Sequence, residues 1–275
     1  MKILVLGSAE TSGGTAAPAS EAQPRTRSGL AVAATDGHRW VLINASPDIG
    51  EQLRERPELS ADLAAAPARP VILTSAEIDT TAGLLSLRDG APLELYATPS
   101  VFEDLTGALP LVAVLQHYCG VRWHLLAVAG EQRRHAFAIA GLEPLRFEAL
   151  AMPGRAPRYT ERGLDPAAGD HIALRITDQS TGQQLVYAPG FERVGPEEFE
   201  HLHDADCLLV DGSGWLARAP QRPPLSDLLA RSRAARKVLL HLDGDHPLLD
   251  ERHPERAALA AGGIEVAFDG MEIVL

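Results

Sequence analysis

Pro70-Val71-Ile72-Leu73-Thr74-Ser75-Ala76-Glu77-Ile78-Asp79-Thr80-Thr81-Ala82-Gly83-Leu84 is the stretch on which the reading of this chain turns. It opens with a short apolar run, the mark of a strand buried on both faces. A helix begins directly afterwards, and Asp79 falls close to the change from strand to helix. In open α/β layers that edge is where ligands bind.

Working outward, Ile3 to Leu6 is a second buried strand, ended by Gly7. Ser8 to Pro24 turns to Ser, Thr, Gly, Ala and Pro and reads as a long loop. Gly29–Ala34 and Arg39–Asn44 form a hairpin about Thr35-Asp36-Gly37, and Pro47-Asp48 opens a helix towards Arg56. Further strands are expected at Leu93–Tyr96, Trp123–Leu126, Leu145–Leu150, Ile172–Ile176, Gln184–Tyr187, Cys207–Val210, Val238–His241 and Ile264–Ala267. Helices fit Pro99–Thr106, Pro196–His203, Pro224–Arg233 and Pro254–Ala261. Strands outnumber helices, and helices fall in both halves. That pattern suggests a two-sheet core flanked by helices, in a single domain spanning residues 1–275. No internal repeat of fixed period is visible.

Composition narrows the classes of function. With 45% hydrophobic and 23% charged residues in 275, the chain is neither disordered nor fibrous. Its 25 basic against 37 acidic residues give a formal charge of −12, which repels phosphate backbones and anionic lipid. Neither nucleic acid nor a membrane is therefore expected as a partner. Cys119 and Cys207, the only cysteines, support neither a Cys-rich zinc module nor a disulfide framework. The apolar run at the start is too short for a signal h-region, and no stretch approaches a membrane span. A cytoplasmic location is the expectation.

Four strands end in polar groups: one leads to Asp79, one to Asp211, one to His241, and one to Asn44-Ala45-Ser46-Pro47-Asp48. Two carboxylates and an imidazole from separate strand ends have the donor chemistry for a divalent metal. Each residue alone also suits a plain role, capping a helix or a loop. His117-Tyr118-Cys119 has the composition of a nucleophile with His117 or His124 as base, but its apolar surroundings favour a structural thiol. His201 and His203 fall at the end of a charged helix, where solvated histidines are ordinary.

Taken in order, several motifs resemble one family. They are Leu-Gly-Ser-Ala at 6–9, Arg-Thr-Arg-Ser-Gly at 25–29, Trp-Val-Leu-Ile-Asn-Ala-Ser-Pro-Asp-Ile at 40–49 and Ile-Leu-Thr-Ser-Ala-Glu-Ile-Asp at 72–79 followed by Thr81-Ala82-Gly83-Leu84. The order continues through Pro110-Leu111, His117 to Val121 with Trp123-His124, Pro166 to Asp170, Tyr187-Ala188-Pro189-Gly190, Ala205 to Gly212, His241, Pro247-Leu248, Gly263 to Ala267 and Asp269 to Ile273. Nearly the whole chain thus resembles the PqqB family, metallo-β-lactamase-fold proteins of pyrroloquinoline quinone (PQQ) biosynthesis. The resemblance implies a metallo-β-lactamase-like αββα sandwich of the α/β class. Its sheets are expected to pack face to face through Ile3, Val5, Ile43, Ile72, Leu73, Leu209 and Leu239.

The departures carry as much information. Glu10 to Pro24 has no cysteine where the family usually has a Cys-rich zinc-binding segment, so no Cys-type structural zinc is expected. The family's Asp-His pair after the Leu73 strand is here Asp79-Thr80, and a hydroxyl is a poor ligand for iron or zinc. The family's long His-containing segment is reduced to Ser213–Arg236, which has no His. What remains of the metal pattern is Asp79, Asp211 and His241. His171 and His246 stand where the family more often has Asn, which makes them candidate replacement ligands or plain loop histidines. The resemblance implies three functions. One is a protein with a degraded metal site that binds a peptide or quinone precursor as a non-hydroxylating partner. The second is an active iron-dependent hydroxylase of a tyrosine-containing peptide intermediate. The third is a carrier for PQQ or its precursor. Iron or zinc at a reduced site is the implied cofactor; other PQQ-pathway proteins and a second copy of the chain are the implied protein partners.

Overall fold

A computed structural model describes residues 1–10, 25–35, 37–160, 167–190, 194–213, 215, 225–242, 246–250 and 252–275. One sheet is built from β1 (Lys2–Gly7), β2 (Gly29–Ala33), β3 (Trp40–Ile43), β4 (Arg69–Ile72), β5 (Leu93–Ala97) and β6 (Val121–Leu125). The other contains β7 (Arg134–Phe137), β8 (Leu145–Met152), β9 (His171–Asp178), β10 (Gln184–Ala188), β11 (Cys207–Asp211), β12 (Arg236–Leu240) and β13 (Ile264–Val266). The last strand, β14 (Glu272–Val274), returns to pair antiparallel with β1, so each sheet has seven strands. The strand orders are β14-β1-β2-β3-β4-β5-β6 and β13-β12-β11-β10-β9-β8-β7. β3 to β6 run parallel, as do β10 to β13, and these are the strands whose carboxyl ends carry the polar residues.

The outer layers follow from the parallel connections, which need crossovers. α1 (Ile49–Arg54), α2 (Pro57–Ala65), α3 (Ile78–Thr81), α4 (Pro99–Thr106) and α5 (Leu111–Leu115) belong to the half of the chain that builds the first sheet. α6 (Pro196–Leu202), α7 (Leu225–Arg231) and α8 (Pro254–Ala261) belong to the second. α4 is well specified, with Pro99 in its first turn and the Thr98 hydroxyl accepting from the Val101 amide. No helix among the described residues is long and apolar enough to cross a membrane.

Three apolar clusters make the layers. The central one holds Ile3, Val5, Ile43, Ile72, Phe147, Leu174, Tyr187 and Leu209 between the sheets. The expectation that Leu73 and Leu239 join it is corrected. Leu73 packs outward with Leu42, Ile49 and Leu84, and Leu239 packs outward with Leu208, Phe199 and Leu259. Side chains alternate along a strand, so Ile72 and Leu73, or Val238 and Leu239, must face opposite layers. Because both faces of these strands are covered, apolarity alone does not reveal the phase.

The expected hairpin is present as the antiparallel β2–β3 pair, although Asp36 of its turn lies outside the described residues. Residues 11–24, read as a loop, lie outside them as well. Elements the sequence reading passed over are α2, α5, β7 and β14. β7 and β14 are four and three residues long and sit at sheet edges, too short for an alternation to register.

Candidate functional site

The polar strand ends meet at one edge of the sandwich. Asn44 follows β3, Thr74 follows β4, Asp211 closes β11 and His241 follows β12. β9 runs antiparallel to β10, so its first residue, His171, comes to the edge where β10 ends. Backbone bonds stitch the sheets together here: Ile172 N donates to Thr74 O (2.9 Å), His241 N to Ser8 O (2.9 Å) and Glu10 N to Leu242 O (3.2 Å). The resulting cleft has a volume of about 240 Å³, with Glu77, Asp79, His171, Asp211 and His241 among its lining residues. His246 is not part of that lining; its Nδ1 accepts the Leu248 amide at 3.2 Å and caps a short 3-10 turn.

Asp211 is held on both oxygens. Oδ2 accepts the Gly190 amide at 3.0 Å and Oδ1 the Ser213 amide at 2.8 Å. Its loop-capping role is therefore real, and it coexists with a place on the cleft wall. His171 donates from Nε2 to the Arg155 carbonyl at 2.9 Å, which fixes the orientation of the ring. A Cβ at Gly154 would lie 2.4 Å from the His171 ring, so only glycine there lets the imidazole sit where it does.

A buried polar thread runs beneath the cleft from one sheet to the other. Asn44 Oδ1 accepts the Thr74 amide (2.9 Å) and hydroxyl (3.1 Å), and the Asn44 side-chain amide favours the ionised form of the nearby Tyr187 hydroxyl against the burial that raises its pKa. That hydroxyl lies 3.3 Å from His241 Nε2. Asn44 and His241, with φ of 66° and 59°, are the non-glycine residues of positive φ among those described. Left-handed backbone at two residues of one network is strain held by the surrounding structure, which is common at functional sites. Burial lowers the pKa of His241 against the opposing pull of Asp211 and Asp79, and raises that of Tyr187. His241 touches solvent through the cleft, yet its ring is enclosed closely enough for lost hydration to prevail. Burial also raises the pKa of Glu77 despite nearby His171, and Asp79 adds to the rise.

The sequence-predicted core of Asp79, Asp211 and His241 is thus brought to one cleft, with His171 beside it. Among the described residues these donors do not form a ready-made metal centre: no three His, Cys, Asp or Glu side chains gather closely enough to hold an ion. Asp79 Oδ1 faces the Arg27 guanidinium at 2.8 Å. Thr80 spends its hydroxyl on the carbonyls of Ser75 (3.1 Å) and Glu77 (2.9 Å). Sequence reasoning missed Arg27, Glu77 and Tyr187. All three lie within motifs that carry the family resemblance, at 25–29, 72–79 and 187–190, which was the available signal. Cys119 and His124 lie elsewhere, the His124 ring stacked 4.4 Å from that of Tyr96.

Comparison with known proteins agrees with this architecture. The family model for the beta-lactamase superfamily domain matches residues 39–256, and that is the class which two mixed sheets between helical layers define. The chain belongs to the coenzyme PQQ synthesis protein B family within that class. It is 41% identical to the Cupriavidus necator coenzyme PQQ synthesis protein B, over 92% of this chain and 89% of that one. It is 39% identical to the Azoarcus sp. protein of the same name over the full length of both. The crystal structure of Zn(2+)-bound PqqB from Methylobacterium extorquens superposes with a TM-score of 0.80 at 28% identity, covering all of both chains. A diphosphatase of the PhnP family shares the fold, with a TM-score of 0.68 at 18% identity.

Proposed function

We propose that this protein serves PQQ biosynthesis by binding a peptide-derived or quinone precursor in the cleft, as a non-hydroxylating partner with a degraded metal site. The observation that carries the reading is the state of the donor set. Asp79 is committed in part to Arg27, Thr80 replaces an imidazole and uses its hydroxyl internally, and Asp211 is fixed by two backbone amides. The cleft itself remains well formed, with His171 and Glu77 on its wall and strained backbone beneath it. A zinc-bound relative supports metal binding as a property of the fold; here Asp79, Asp211 and His241 are the groups an ion would have to recruit.

The test is two measurements on protein purified without chelator. After loading with Fe(II) or Zn(II) and desalting, elemental analysis should find no stoichiometric metal. Titration with PQQ, followed by tryptophan fluorescence, should show saturable binding that G154A weakens by displacing His171. One tightly held iron per chain, with oxygen-dependent hydroxylation of the precursor, would overturn the reading in favour of the hydroxylase. PQQ binding untouched by G154A would remove the cleft as the binding site.

A further inference from the structure

A metal held through Asp79, Asp211 and His241 would use a carboxylate, Asp79, that already faces a cation belonging to the protein. Arg27 precedes β2, and its guanidinium stands between two carboxylates, Nε 2.8 Å from Asp79 Oδ1 and Nη1 3.3 Å from Asp48 Oδ1. Its placement is set mainly by anchors other than Asp79. Asp48 Oδ2 accepts the Arg27 backbone amide at 2.8 Å, and the Arg27 carbonyl accepts from Gln52 Nε2 at 2.8 Å. Gln52 is itself buried, and Arg27 forms a backbone bridge with Ala9 beside the cleft. The Arg27 Nε is buried and its N–H does not point at an acceptor, so its contact with Asp79 is an attraction of charges without an aligned hydrogen bond.

We propose that Arg27 is the resident counter-cation of the cleft, filling at Asp79 the electrostatic role a divalent ion would otherwise take and thereby lowering the affinity for such an ion. The proposal rests on the metal-poor reading given above. Arg cannot escape by losing its proton. An incoming ion must therefore share Asp79 with a fixed positive charge, or displace the guanidinium from it and leave Arg27 facing Asp48 alone. Both routes oppose metal binding, and the imidazole that could offset the loss is absent at Thr80.

The test titrates the full chain with Zn²⁺ by calorimetry and with Co²⁺ by visible absorbance, in the wild type and in R27M, R27Q and R27K. R27M and R27Q should bind one ion about tenfold more tightly than wild type, a change of about 1.4 kcal/mol. R27K retains the charge and should stay near wild type, and D79N added to R27M should remove the gain. Circular dichroism checks folding, and R27Q answers the question if R27M does not fold. R27M and R27Q binding no tighter than wild type would overturn the proposal, and weaker binding would show that Arg27 braces Asp79 as a ligand. The two readings fail separately. Tight stoichiometric metal in the wild type sinks the metal-poor reading, whereas a metal-poor wild type with unchanged Arg27 variants sinks only the role of Arg27.

Discussion

Asn44→Ala should weaken the whole edge of the sandwich that carries the cleft. Asn44 is fully buried, and Thr74, whose amide and hydroxyl it accepts, is 2% exposed. Truncation leaves the Thr74 amide without its partner in a place water does not reach, at a cost of about 1–3 kcal/mol. Alanine also tolerates a φ of 66° less well than asparagine, whose short polar side chain stabilises the left-handed region, which adds about 1 kcal/mol. The sum is about 3 kcal/mol, a drop of about 6–12 °C in Tm for a chain of this size. Urea unfolding followed by tryptophan fluorescence measures it. Asn44→Gly separates the parts, because glycine removes the backbone strain while still losing the hydrogen bonds. It should recover about 1 kcal/mol relative to the alanine variant. An alanine variant within about 0.5 kcal/mol of wild type would refute the claim that this network is structural. So would a glycine variant no better than alanine.

Gly83→Ala should be severely destabilising, because a Cβ there would come 1.9 Å from the Ser46 carbonyl and 2.7 Å from that of Ala45; a normal melting temperature would contradict the packing described. Asp178 is buried, which opposes its ionisation, but the Ser180 hydroxyl and amide and the N-terminal ammonium prevail and hold its carboxyl down at about 2. The unfolded chain then binds the extra proton first as pH falls, so the stability Asp178 supplies is full above its ordinary 3.8 and is lost towards 2. Asp178→Asn should flatten that part of the acid-denaturation curve, and an unchanged slope would refute the assignment. Burial pushes the Cys207 thiol up to about 12, so a thiol reagent should modify at most Cys119 in the native protein and reach Cys207 only on unfolding. Rapid labelling of both would contradict the burial of β11.

The amino-acid sequence established the class of fold, the family and most of the strands. Apolar runs such as Val71–Leu73 and Leu208–Val210, ended by polar residues, encode buried strands locally. Asp211 and His241 were legible as candidates because they stand where strands stop, and Asp79 because the Val71 strand leads to it through a short connection. Convergence of these three with His171 on one cleft was not legible, since it depends on two sheets built from distant halves of the chain meeting at one edge. Nor was the inward or outward phase of Leu73 and Leu239, because strands covered on both faces show no alternation in hydrophobicity. Tertiary structure alone decided the partner of Asp79. Arg27 precedes it by 52 positions, and only the docking of the segment before β2 against Asp48 and Gln52 brings the guanidinium to that carboxylate.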